Sequence, residues 1–536
     1  MSEPSAHLPP RLSPFAPFEN GVFRMLWLAW LAANITMWMN DVAAAWLMTT
    51  LTTSTTMVAL VQAASTLPVF LLGLPSGALA DILDRRRYFA GTQLWVALNA
   101  LVLAAVSMAD AMSAPLLLAL TFTNGIGLAL RWPVFAAIVP DIVPKHHLPG
   151  ALALNGVAMN LSRIVGPVVA GGVLSMAGEA WVFGLNAVLS LLAFGMILRW
   201  RSQQPKTSAL PGERFIGAMR VGLQHVGQSP PLRLILARVF LFFLQTAALM
   251  ALLPLIARGL GGGAHLFTWL LAAQGAGAVT AVMLFPRWRA RFSSQQFITW
   301  GPVVHALATL TVAFAPHPAV AGVAMVVAGM AWISTANTLT VGAQMLLPGW
   351  VRARGMSIYQ MGLMGGTAAG ATLWGQVAGH GSIRMALVGS TLFGGLVLLA
   401  LRRWPMATGE APDNTPALPG SQPPEPAIEI GPDEGPVMVT VAYLIDPARA
   451  SEFAEVMQRT RQARLRQGAL SWGLFRDAAV PGRYIEYFVD ESWLEHKRRL
   501  ERFTAADIGL RSERLAFHLG EAPPEVRRYV AEQHTL

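Results

Sequence analysis

The chain has 536 residues, 54% of them hydrophobic and only 13% charged, and its mean hydropathy is positive. This balance excludes a soluble domain of that length and implies a polytopic membrane protein. The net charge of +10 does not point to nucleic acid, because the basic residues sit in short loops between apolar runs, where they act as an insertion signal. The absence of cysteine excludes disulfides, thiolate metal sites and cysteine nucleophiles, and no metal or cofactor is expected.

Residues 1–20 carry Pro9, Pro10, Pro14 and Pro17 and lack the basic, apolar, small order of a cleavable signal, so they read as a cytoplasmic tail. Apolar windows then follow at 22–48, 57–80, 88–109, 114–138, 151–176, 180–198, 232–257, 266–286, 297–315, 319–346, 356–379 and 384–401. At a helical rise of 1.5 Å per residue, such windows are long enough to cross a hydrocarbon core of roughly 30 Å. The expected fold is therefore all-α and membrane-embedded, with twelve transmembrane helices in two six-helix bundles, 21–198 and 232–403. A polar linker at 199–231 joins them. With the N-terminus inside, Arg85 to Arg87, Lys145, the linker, Arg287, Arg289, Arg291, Arg352, Arg354, Arg402 and Arg403 all face the cytoplasm. The opposite loops carry little beyond Arg258 and Arg384, an asymmetry that puts both termini inside a plasma (inner) membrane.

After Arg403 the composition becomes Pro-rich over 404–435, which reads as a semi-rigid tether. Residues 436–536 then read as a soluble domain: a strand at 437–443, a helix at 447–467, strands at 470–476 and 483–489 around a Val-Pro-Gly turn, one helix at 493–517, and a last strand at 526–530. That β-α-β-β-α-β order predicts a small α+β, ferredoxin-like unit.

Several residues in the spans have side chains that lipid would penalise. Asn34, Asn40 and Asp41 lie in the first window, and a carboxylate there needs a specific reason. Asp41 reads either as a proton-titratable group facing a central cavity or as a hydrogen-bonded, permanently ionised residue serving helix packing. Arg131 and Arg163 lie deeper than loop positions allow, and a guanidinium cannot shed its charge. Each needs a carboxylate, carbonyls, water or an anionic substrate; for Arg163 a cavity-lining role stands against an internal ion pair. No Gly-x4-Gly-Lys-Ser/Thr loop occurs, which favours secondary over ATP-driven transport.

The segment Gly77-Ala-Leu-Ala-Asp-Ile-Leu-Asp-Arg-Arg-Arg87, between the second and third windows, resembles the signature loop of the major facilitator superfamily. Ile82 and Asp84 depart from it. The resemblance implies a conformational latch of the outward-open state at Gly77, Asp81, Arg85, Arg86 and Asp141, in which Asp81 faces the start of the eleventh span and Arg85 or Arg86 pairs with an acid such as Asp141; simple orientation by positive charge is the alternative. After Arg163, the run Ile-Val-Gly166-Pro167-Val-Val-Ala-Gly171-Gly172 resembles the fifth-span motif of facilitator antiporters, with Ala153 and Ser162 where that motif has glycine. Its small residues allow close helix approach and Pro167 permits bending.

The stretch from Arg131-Trp-Pro to Asn160, with Trp350-Val-Arg-Ala-Arg354, Gly435-Pro-Val437 and Trp472-Gly-Leu-Phe-Arg-Asp477, resembles the transmembrane secretion effector subfamily that includes the enterobactin exporter. That resemblance implies export of a small molecule (siderophore, drug or secondary metabolite) by alternating access and proton antiport, with the lipid bilayer as its medium. Uptake of a metabolite on the same scaffold is the rival reading. The tail also resembles small monooxygenase domains, and His496 beside Trp493 suggests a haem or quinone pocket. A solvated His on an Arg/Glu-rich helix is the commoner case, and self-association or sensing of cytoplasmic substrate is the preferred role. The expectation is a transporter and not an enzyme.

Overall fold

The computed structural model describes residues 15–144, 147–200, 215–404, 413–417 and 426–532. Some side chains inside helices lie outside that description, Asp81 and Asp141 among them. The helices are α1 (Gly21–Leu51), α2 (Thr55–Ile82), α3 (Arg85–Met108), α4 (Ala114–Ile142), α5 (Leu148–Ala177) and α6 (Glu179–Arg199). They continue as α7 (Phe215–Gly227), α8 (Pro230–Gly259), α9 (Ala264–Arg289), α10 (Ser294–Ala313), α11 (Pro318–Leu346), α12 (Arg352–His380) and α13 (Ile383–Leu401). Every apolar window of the sequence falls on one of the long helices. Among the described residues, ten of these are long and apolar enough to cross a membrane; α10 and α12 are not among the ten.

Side-chain caps decide where several helices start. Asn20 accepts hydrogen bonds from the backbone N–H groups of Val22 and Phe23 at 2.9 and 3.2 Å, and Ser54 and Ser113 do the same work for α2 and α4. Asp84, a departure from the facilitator signature, accepts from the Arg87 N–H at 2.8 Å and so begins α3. Arg86 reaches back and donates to the Leu198 carbonyl at the end of α6, where the free carbonyls attract a cation.

The chain divides into two compact units. The first comprises 1–212, 238–339 and 360–404; the second comprises 213–237, 340–359 and 405–536. In the first unit α2 packs on α4, α3 on α6, and α1 on α5 and α6, while α5 also meets α9. One apolar cluster at the end remote from the Arg85–Arg87 loop draws on α1–α6 and α8–α13 alike: Met39, Leu47, Val58, Leu252, Phe267 and Trp374 belong to it. Thr56 donates to the Gly375 carbonyl at 3.1 Å across that end. Trp46 stacks on Phe267 at 6.1 Å, and the Arg258 guanidinium lies 5.1 Å from the Trp46 ring. At the near end the clusters of described residues separate. Phe23, Trp30, Phe89 and Phe135 belong to one confined to α1–α6 and its flanks, and Ala278, Ala281 and Ile333 to another confined to α9 and α11.

The second unit holds a four-stranded antiparallel sheet, β1 (Val437–Leu444), β2 (Ser471–Arg476), β3 (Arg483–Asp490) and β4 (Glu525–Val530), in the order β2-β3-β1-β4. Val437, Val439, Val441 and Tyr443 alternate inward along β1 with exposed or half-buried neighbours. The helices are α14 (Ala450–Arg466), α15 (Trp493–Glu501) and α16 (Ala505–Leu515). Two expectations need correction here. The single helix expected over 493–517 is broken, because Thr504 starts a new one through a reciprocal capping box with Asp507. The linker 199–231 also contains a helix, α7, whose apolar Val221 and Val226 are buried.

α7 docks within this unit. Arg220 pairs with Glu491 at 2.6 Å, Gln224 donates to the Ala469 carbonyl at 3.4 Å, and His225 Nδ1 lies 3.4 Å from the Arg466 carbonyl. Trp350, in the α11–α12 turn, meets the His225 ring edge-on at 5.5 Å and lies 5.1 Å under the Arg502 guanidinium. Part of the Pro-rich segment is tied back too: Ala505 and Ala506 donate to the carbonyls of Thr415 and Asp413 at 3.0 and 3.1 Å.

Candidate substrate and coupling site

On α1, residues three and four apart share a face, so Asn34, Trp38 and Asp41 form a stripe. Asn34 is buried and donates to the Trp30 carbonyl of its own helix at 2.7 Å. Asp41 is half-buried and makes no hydrogen bond or ion pair among the described residues. The packing alternative supposed a hydrogen-bonded carboxylate, and no such partner is present among them. Asn40 points elsewhere: it is fully buried, and its side-chain oxygen accepts from Asn186 at 3.5 Å, with Ser190 donating on to Asn186 at 3.1 Å.

Arg131, on α4, is 1% exposed. It donates to the Ala33 carbonyl at 3.1 Å, its guanidinium carbon lies 5.6 Å from the Trp30 ring, and its Nε has no partner among the described residues. It borders a water-sized space of about 10 Å³ together with Thr36, Asn124 and Asn186. A polar cavity of that size holds about one water, which fits the unpartnered Nε and the unpartnered Asn124 oxygen.

Arg163, on α5, is half-buried, with Nη1 unpartnered. The internal ion pair considered for it is absent among the described residues. Its guanidinium lies instead 4.3 Å from the ring centre of Trp332 on α11 and 5.5 Å from that of Trp38 on α1. Such contacts are worth about 2 kcal/mol when desolvated. Trp332 is held from behind by Phe243, edge-on at 5.5 Å. Trp38 is held by close helix packing: a Cβ on Gly166 would come within 2.5 Å of its Cβ. Farther along α5, a Cβ on Gly171 would come within 2.4 Å of Thr268 on α9, whereas one on Gly172 would meet nothing within 4 Å. Pro167 lies inside α5 between these two contacts.

The structure thus brings Trp38, Arg163 and Trp332 to one region, with Asp41 one turn from Trp38 along α1, and leaves Asn34, Asn40 and Arg131 in the interior of α1–α6. Gly77 is in α2 and Arg85 and Arg86 open α3, but the acids of the expected latch, Asp81 and Asp141, have side chains outside the described residues. Trp332 carried no local signal, being one tryptophan in an apolar helix. The need of Arg163 for a partner was the available clue. A groove of about 600 Å³ between α10 and α11, lined by Val304, Leu307, Val320 and Val323, lies away from these residues and is apolar, as a lipid-facing surface would be.

In the second unit, Glu486 accepts from Tyr443, Arg464 and Trp472 at 3.0, 3.0 and 3.1 Å. Burial alone would raise its pKa, but Arg464 and Arg514 with these hydrogen bonds hold it below the ordinary value. Asp490 accepts from Arg499 Nε at 2.9 Å and lies 2.7 Å from His496 Nδ1, and it too is held low against the effect of burial by Arg499 and His496. Arg464 and Arg499 stack on Phe488 at 4.3 and 4.2 Å. His496 is 2% exposed, so it is not solvated. Arg528 donates to its Nε2 at 3.2 Å while Nδ1 faces Asp490, so both ring nitrogens are engaged and neither is open to a haem or quinone. Burial pushes the His496 pKa down.

A family profile described as "Transmembrane secretion effector" matches residues 12–535. The chain is 26% identical over 270 residues to an uncharacterized MFS-type transporter, YfiS, of Bacillus subtilis, covering 48% of this chain and 62% of that protein. It is 24% identical over 241 residues to Macrolide efflux protein A of Streptococcus pyogenes, covering 44% of this chain and 58% of that protein. The chain therefore spans less than two thirds of the length of these relatives. Among solved structures it resembles a bacterial homolog of the human lysosomal transporter Spinster, with a TM-score of 0.56, 16% identity and coverage of 72% of this chain and 97% of that one, a likeness of fold. These neighbours are transporters, not enzymes. The chain belongs to the transmembrane secretion effector family of the major facilitator superfamily.

Proposed function

We propose that the chain is a secondary transporter that exports a small molecule from the cytoplasm across the plasma (inner) membrane, by alternating access coupled to proton entry. In this reading all twelve long helices span the bilayer, both termini are cytoplasmic, and the near end faces the cytoplasm. The observation that carries it is the asymmetry of the first unit: a shared apolar core seals the two helix sets at one end, while among the described residues the clusters at the other end stay apart. That arrangement suits a state open to the cytoplasm, with transport requiring the sets to rock about a central site. Asp41, half-buried and without a partner among the described residues, is the proposed proton carrier, and Arg131 and Arg163 set the field in which the substrate binds.

Gly77, Asp81, Arg85, Arg86 and Asp141 are proposed to latch the opposite, outward-open state. The tail is read as a ferredoxin-like domain that serves self-association or sensing of cytoplasmic substrate. The efflux character of the Streptococcus pyogenes relative supports export over uptake. The test is accumulation in everted membrane vesicles of a panel of siderophores, macrolides and cationic dyes. At least one compound is expected to accumulate when the vesicle lumen is acidified and to be released by a protonophore. Accumulation that ignores the proton gradient, or that occurs only in right-side-out vesicles, would overturn the reading.

A further inference from the structure

We infer that Trp38 and Trp332 form an aromatic cage for an organic cation, and that in the empty protein Arg163 occupies this cage as a tethered stand-in for the substrate. The inference rests on the export reading above and adds the chemical class of what is exported.

Two indole faces converge on one guanidinium, at 5.5 and 4.3 Å, and no carboxylate among the described residues competes for it. A charge held by ring faces alone exchanges readily for another cation of similar size, because the quadrupole of an indole does not distinguish guanidinium from a substituted ammonium. Both rings are held without help from Arg163: Trp332 by Phe243, and Trp38 by the close approach of Gly166. The cage therefore persists when the guanidinium leaves.

The location also links binding to motion. Trp38 and Arg163 belong to the first helix set and Trp332 to the second, so the cage closes only while the sets are together. A cation that replaces the guanidinium takes over a contact between the sets, and parting them opens the cage and lets the cation go.

The test is equilibrium binding of ethidium, a permanent organic cation, and of fluorescein, an anion, to the purified full chain in detergent without a gradient. A failure of export in vesicles leaves this readout untouched. Arg163→Gln removes the tethered competitor and is expected to tighten ethidium binding about fivefold, while Trp332→Leu weakens it about tenfold. Trp332→Phe keeps a ring face and is expected to stay within about threefold of the unmodified chain, which guards against misfolding as the explanation. Weaker ethidium binding in Arg163→Gln, or lost fluorescein binding with ethidium unchanged, would overturn the proposal and make Arg163 an anion receptor. Affinities for both dyes that respond to none of the three substitutions would also overturn it and leave Arg163 a packing residue.

Discussion

The two units treat buried charge in opposite ways. In the tail, Glu486 and Asp490 each meet arginine, and the arginines stack on Phe488 as well. Among the helices of the first unit, Arg131 and Arg163 meet a carbonyl and indole rings, and Asp41 meets nothing among the described residues. A closed network fixes one structure, because removing any member strands another. Groups left open can change partners during a cycle, which is what a transport site requires.

The largest expected effect comes from breaking the closed network. Glu486→Ala strands Arg464 in the tail's interior and is expected to destabilise the domain by about 3–5 kcal/mol. Denaturant unfolding of the full chain, followed by Trp472 fluorescence or limited proteolysis of the tail, measures it. Arg131→Met is the matching change in the bundle. It strands no carboxylate, so thermal stability is expected to change by less than about 1 kcal/mol while vesicle transport is lost. A stability loss as large as that of Glu486→Ala would erase the distinction between the units.

Helix packing gives a graded pair on α5. Gly171→Val forces a side chain against Thr268 and is expected to cost about 1–3 kcal/mol and to loosen the sealed end, whereas Gly172→Val, with open space around it, is expected to be near neutral. Cysteine crosslinking between α2 and α12 near Thr56 and Gly375 reads the seal. The smallest effect is on the docked linker helix. Burial, aided by Arg466, pushes the His225 pKa down to about 4. The undocked residue therefore binds its proton first, and docking weakens as pH falls from about 6.5 towards 4, by less than about 1 kcal/mol down to pH 6. Hydrogen exchange across 215–227 at stepped pH would follow it; protection unchanged through that window would contradict the docking geometry.

The positions of the long helices were legible in the sequence because lipid demands long apolar runs, and their windows differ from the observed helices only at the ends. The start of α16 was not, since Thr504 and Asp507 are an N-terminal cap that a continuous amphipathic pattern hides. Helix α7 was missed because its 13 residues are too few to register as a span and its polar flanks dominate the linker's composition, and its apolar residues gain meaning from the tail that covers them. The candidate site was legible on one side. Asp41 and Arg163 announce themselves by the cost of charge in lipid, but Trp332, about 170 residues away in the other helix set, became a partner through the fold. His496 illustrates the reverse error, since its neighbours in sequence suggested an exposed helix and its neighbours in space, Asp490 and Arg528, enclose it.

Coupling of substrate export to proton entry through Asp41 is read by proton release from preloaded everted vesicles on addition of a transported compound. The intact chain and Asp41→Asn are to be compared at equal expression. The intact chain is expected to release protons in response to substrate and the variant to release none, with equilibrium binding of the compound retained. Equal proton release from both would contradict coupling through Asp41 and place the coupling group elsewhere in the spans.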